Sequence, residues 1–165
     1  MANRNRKVFS QNWGALVHDS ALSDLMALYE ENYRLMRRLC PFLPSAELHC
    51  YQSHLPKGMD LLLNVIDCSK YTSTVQLSYY KPGHTRSSFA PDLRIRIYHD
   101  ARVAEAMSGL IHGLRYEKRA ERELAASWKL NRFLYKWLGF CVRQGHQFSD
   151  HVYGVSPLPI QTNKK

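Results

Sequence analysis

The stretch Asp92–Glu105, DLRIRIYHDARVAE, decides how the second half of this chain is read. Leu93, Ile95 and Ile97 alternate with Arg94, Arg96 and Tyr98, the period of two that marks a half-buried strand. From Ala101 onward the residues are good helix formers, which predicts a helix in that place. His99 and Asp100 sit at the junction, with Asp100 expected to cap the first helical turn. A strand end feeding a helix N-terminus gathers polar side chains and free N–H groups, so the junction is also a candidate ligand site. Tyr71, Thr72, Arg96, Tyr98, His99, Asp100, Arg102 and Glu105 are the residues expected around it.

Upstream of this stretch the pattern is one of strands. Leu48–His54, Met59–Asp67 and Thr72–Tyr80 read as strands, and the turn Pro56-Lys57-Gly58 separates the first two. Connections this short favour an antiparallel meander, and the longer link Lys81–Pro91 is expected to be mobile. A helix is predicted to begin near Ser20 or Ser23, with Leu25, Leu28, Tyr29, Met36 and Leu39 on one face, and to stop at Pro41 and Pro44. Residues 1–19 read as a basic, mobile arm, 20–146 as a single domain, and 147–165 as an irregular tail. The expected fold is therefore α+β: an N-terminal helix, an antiparallel sheet of about four or five strands, and a long C-terminal helix packed on the sheet.

That last helix carries the second regularity. Arg115, Arg122, Lys129, Lys136 and Arg143 recur every seven residues, and Arg132 falls beside them, so a helix over this region presents a basic stripe. Leu124, Asn131, Leu134, Leu138, Cys141 and Val142 form the opposite, largely apolar face, and Gly145 is placed to end the helix. A solvated back face explains the same charges without any ligand. Phe133 and Phe140, close to the basic side, weigh toward a binding surface. Tyr80 and Tyr98, sharing a sheet face with Gln76, Ser78, Arg94 and Arg96, are a second place where bases stack in single-strand binders.

Four segments, LYEENYRLMRRLCP (28–41), SKYTSTVQL (69–77), RIYHDARVAEAM (96–107) and LNRFLYKWLGFCVRQG (130–145), resemble the YqiB-like family of small bacterial proteins over about residues 25 to 146. The most specific block is Tyr98, His99, Asp100 and Ala101 with Ala104 and Glu105. Asn131, Phe133, Leu134, Trp137 and Leu138 match the family's final helix. Ala125, Ala126 and Ser127 stand where the family has an aspartate-glutamate-lysine run, and the family's upstream tyrosine-proline-asparagine turn is missing. The resemblance implies a compact bacterial cytosolic protein of unknown function and supplies no catalytic residues.

Bulk properties narrow the partner class. Lys plus Arg number 23 against 14 Asp plus Glu in 165 residues, a formal net charge of +9, which favours an anionic partner: an acidic protein, a nucleic acid or a small anion. No apolar run reaches the length of a membrane span, and the N-terminus lacks the apolar stretch of a secretory signal. A cytoplasmic protein with no membrane partner is expected. Cys40, Cys50, Cys68 and Cys141 form no CxxC pair, so they read as free, buried thiols, with no metal and no cofactor. The common nucleotide, metalloprotease and serine-hydrolase motifs do not occur. A non-catalytic binding or regulatory protein is the preferred reading. A phosphoester-directed enzyme or nucleotide-binding protein using His99-Asp100, and a module that associates with copies of itself, are the alternatives.

Overall fold

The computed structural model describes residues 6–80, 91–111, 114–117 and 124–150, the side chains of residues 6–20 and of Glu117 excepted. Helix α1 (Arg6–Leu39) leads through a 3-10 turn (Leu43–Ser45) into strands β1 (Cys50–Ser53), β2 (Asp60–Cys68), β3 (Thr72–Tyr80), β4 (Asp92–Tyr98), β5 (Val103–Ile111) and β6 (Leu114–Glu117), and helix α2 (Leu124–Gln144) follows. The strands form one antiparallel sheet in chain order, so the expected meander is present and extends to six strands. Helix α1 begins at Arg6, well ahead of Ser20 and Ser23.

Two expectations are overturned. Residues 103–111 are a strand, not a helix, and Asp100 lies in the four-residue turn of the β4–β5 hairpin, where there is no helix to cap. Arg102, at φ 56°, supplies the left-handed step that closes this turn. The final helix is also shorter than its charge pattern suggests. It starts at Leu124, so Arg115 belongs to β6, and Arg122 lies outside the described residues.

The register explains why helix formers make up β5. Cross-strand neighbours on the helix-facing side run Leu63, Leu77, Leu93, Gly109 in one row and Val65, Val75, Ile95, Ala106 in the next. Side-chain volume shrinks toward β5 because both helices close on that strand. At Gly109 a Cβ would stand 2.0 Å from Leu93 Cδ2, and Leu93 is fully buried, so only glycine fits. Met36 and Leu39 of α1, Cys40 just beyond it, and Leu130, Leu134, Leu138 and Cys141 of α2 complete the core above these rows. A smaller cluster of Leu25, Tyr29 and Val103, bordered by Tyr98 and Trp128, seals the far end of β5.

Strand β6 covers only Ser108–Ile111 of β5, and the polar backbone before that is met by a side chain. Asn131 of α2 accepts the Ala106 N–H at 2.8 Å through Oδ1 and donates through Nδ2 to the Ala106 carbonyl at 3.5 Å. Its Nδ2 also reaches the Ser127 carbonyl at 3.0 Å, and Asn32 of α1 donates to its Oδ1 at 3.4 Å. The amide thus stands in for a neighbouring strand while tying α1 and α2 to it. Helix α2 ends as expected at Gly145, which takes φ 92°; the bonds Gly145 N–H to Val142 O and His146 N–H to Cys141 O form a Schellman motif. Beyond it the Phe148 N–H binds the Leu39 carbonyl at 2.7 Å, and its ring is buried in the core.

Both Asn32 and Asn131 are fully buried. Replacing Asn131 by Ala leaves the Ala106 N–H without its partner and the Asn32 amide with only the Asn131 backbone carbonyl, at 3.5 Å, an expected loss of about 1–3 kcal/mol in urea denaturation. Exposed Arg132, one position on, is expected to tolerate Ala within about 0.5 kcal/mol.

Candidate functional site

The last turns of α1 face the β4–β5 hairpin across an open cleft of about 910 Å³, lined by Glu30, Tyr33, Arg34, Arg37, Arg38, Pro44, His99, Ala101 and Arg102. Four arginines stand against one carboxylate. Arg34, Arg37 and Arg38 share one helix face through their i, i+3 and i+4 spacing, and Pro41 ends the helix just beyond them. Arg34 is held by an ion pair with Glu31. Arg37 and Arg38 also sit well at the carbonyl end of α1, so part of their role is to complement the helix dipole.

His99 is the best-fixed member. Its N–H binds the Tyr71 carbonyl at 2.8 Å, its Nε2 lies 2.8 Å from Ser73 Oγ, and the Tyr33 ring meets it edge-on at 6.5 Å. Two polar atoms of the cleft residues, His99 Nδ1 and Arg37 Nε, are buried with no hydrogen-bond partner. Burial lowers the His99 pKa; the Arg37 charge adds to this, and Asp100 opposes it.

Of the residues expected at the junction, His99 and Arg102 reach the cleft. Asp100 is exposed at the turn and does not line it, and Tyr71 contributes its carbonyl while its ring lies exposed under Lys70. Thr72 pairs with Tyr98 where β3 meets β4, and Tyr98 borders the small cluster around Tyr29. Arg96 and Glu105 are opposed across β4 and β5, on the side that alternates away from Ile97 and Ala104. Glu105 is buried and accepts the Tyr29 hydroxyl at 2.9 Å, and Arg96 has a buried, unpartnered Nε. Expected as one pocket, these residues are divided between two sides of the sheet. The α1 arginines were not among the expected residues, although their spacing ahead of Pro41 was a readable signal.

The basic stripe is also divided. Lys129, Arg132, Lys136 and Arg143 are exposed on α2, with Tyr135 and Phe140 exposed beside them. Arg115 is exposed on β6, and the neighbouring Tyr116 ring receives Lys129 Nζ at 5.0 Å. On the sheet, Gln76 and Arg94 do share a face, but Gln76 donates to Asp92 and Ser78 is buried, so no open stacking platform results.

A second polar cluster joins β1 to the end of α2. Ser53 Oγ lies 3.0 Å from His146 Nδ1 and accepts the Gln147 N–H, while Asp60 binds His54 and Gln52. Ser53, His146 and Asp60 are all buried, and Asp60 bonds His54 and Gln52, so the cluster ties β1 to β2 and to the end of α2. Cys40, Cys50 and Cys141 are buried free thiols, whereas Cys68 is exposed, against expectation. Among the described residues no group of three His, Cys, Asp or Glu is placed to hold a metal ion. None of the described helices is long and apolar enough to cross a membrane.

The fold and the cleft define a small α+β protein with a meander sheet and two helices. Comparison with known proteins places it: the family model described as "Protein of unknown function (DUF1249)" matches residues 35–147, and the chain belongs to that family. The chain is similar to the uncharacterized protein YqiB of Escherichia coli K12, 28% identical over 129 residues that cover 74% of this chain and 89% of the relative. The same protein from Escherichia coli O157:H7 matches equally. No solved structure matches the chain.

Burial also lowers the pKa of His146, with Asp60 and a bond to Ser53 working the other way. An unfolded histidine takes up its proton near pH 6.5 while these two resist it, so the unfolded chain binds more protons as the pH falls. Stability is expected to decline as pH drops from about 7 toward 5. Urea midpoints measured across this range should fall less steeply in His146→Gln than in the parent.

Proposed function

We propose that this protein is a non-catalytic, cytoplasmic binding protein that takes an anionic ligand in the cleft between α1 and the β4–β5 hairpin. The observation that carries this reading is the cleft's charge: Arg34, Arg37, Arg38 and Arg102 against Glu30. Guanidinium groups present paired donors to phosphate and carboxylate oxygens, and low-dielectric walls strengthen the attraction. The unpartnered Arg37 Nε adds a buried donor that an oxyanion would satisfy. Calorimetric titration with pyrophosphate at low ionic strength is the test. Arg37→Gln and Arg102→Gln are each expected to weaken binding roughly 10- to 100-fold, and Lys136→Gln to leave it unchanged. No binding by the parent, or binding indifferent to both arginine substitutions, overturns the reading.

A second reading, single-stranded nucleic acid on the outer face of α2, is favoured by composition and exposure together. Between Leu124 and Gln144 there is no acidic residue, so Lys129, Arg132, Lys136 and Arg143 are not neutralised along their own helix, and Tyr135 and Phe140 offer rings for stacking. Fluorescence anisotropy with labelled oligonucleotides should give affinity that falls steeply with salt. The triple replacement of Lys129, Arg132 and Lys136 by Gln should weaken binding and flatten the slope. Oligonucleotide binding that ignores the triple replacement removes this surface from consideration.

A further inference from the structure

The hydrogen bonds behind the cleft favour one tautomer of His99. Cys68 Sγ lies 3.4 Å from the Ala46 carbonyl, which can only accept, so the thiol spends its single hydrogen there. That leaves the sulfur with lone pairs for the hydroxyl of Ser73, whose Oγ is 3.9 Å away. A hydroxyl that donates to the sulfur has no second hydrogen, and its 2.8 Å contact with His99 is then an Nε2–H donating to Ser73 Oγ. Neutral His99 then has a bare lone pair on Nδ1, the atom that is buried and unpartnered. Burial and the Arg37 charge keep that nitrogen from taking a proton from water, although Asp100 pulls the other way. Tyr33 of α1 meets the imidazole edge-on, and the other charged groups lining the cleft with it are Glu30, Arg34 and Arg38 of α1 and Arg102 of its own turn.

The cleft therefore combines guanidinium donors with one buried acceptor, and a fully deprotonated oxyanion cannot satisfy both. Its oxygen lone pairs would face the lone pair of Nδ1. We propose that the cleft binds a phosphate monoester together with one proton, held between a phosphate oxygen and His99 Nδ1. This rests on the reading of the cleft as an anion site and names the ligand class within it. A phosphate monoester has its second pKa near 6, so it accepts a proton close to neutrality, whereas a phosphodiester does not. The proton balance is simple. Above about pH 7 the free monoester is mostly a dianion and His99 is neutral, so the complex takes one proton from solution, whichever of the two atoms holds it more tightly.

Calorimetric titration of the full chain with phenyl phosphate at pH 7.5, in two buffers of different ionisation enthalpy, measures that proton directly. Uptake of close to one proton is expected, with affinity falling up to about tenfold per pH unit between pH 7 and 9. Diphenyl phosphate, a diester, is expected to bind at least tenfold more weakly. His99→Gln keeps an N–H for Ser73 and removes Nδ1, so it should bind phenyl phosphate with no proton uptake and a flat pH profile. Nitrogen-15 NMR of the ligand-free parent provides a readout independent of any variant, and the Nε2–H tautomer of His99 is expected. Binding without proton uptake, or an Nδ1–H tautomer in the free protein, overturns the proton inference and leaves the anion site standing. Failure of the parent to bind phenyl phosphate, diphenyl phosphate or pyrophosphate at low ionic strength overturns both.

Discussion

The side-chain amide of Asn131 is the contact on which the arrangement of this fold depends. An antiparallel meander ends in an edge, and an edge leaves peptide groups that water or another chain must satisfy. Over Ala106 the protein meets them with one buried side chain that bonds both the N–H and the C=O of the same residue. Because that side chain belongs to α2 and also binds Asn32, satisfying the edge fixes where both helices sit. A buried amide of this kind adds little net energy while it is paired and costs much when broken, so its main effect is to exclude other packings.

From this constraint follows the position of the cleft. With α1 held against β5, its final turns come to rest opposite the β4–β5 hairpin, and the arginines of one face the imidazole of the other. Neither element is a binding site alone. The helix end offers cations with no geometry to orient a ligand, and the hairpin offers one histidine locked by Ser73. Their meeting brings four arginines and one imidazole around a single cleft.

Membership of a family of unknown function adds no reaction to this picture, so the chemistry of the cleft and of α2 carries the functional reading. The two surfaces suit different ligands. On the proposed readings the cleft would take a compact group, while the outer face of α2, an open row of cations, would take an extended one. Basic residues occur on both, so net charge alone does not distinguish between them.

Much of the fold was legible in the sequence because it is set by local periodicity and punctuation. The strand-type runs of β2 and β3, the alternation in β4, the prolines after α1, and Gly145 after α2 each act over a few residues, and each appears where the pattern put it. The apolar stripe of α2 was equally clear, with Asn131 in its midst. What tertiary structure alone decided was β5 and everything joined to it. Val103–Met107 reads as helix by propensity, and it is a strand because two helices crowd its Ala104 and Ala106 and a distant amide completes its hydrogen bonds, contacts with no trace in local composition. The same non-local contacts turned His99-Asp100 from a helix cap into a hairpin turn and set His99 against three arginines far away in the chain. Propensity sums preferences of neighbours in sequence, and the cleft is made by neighbours in space.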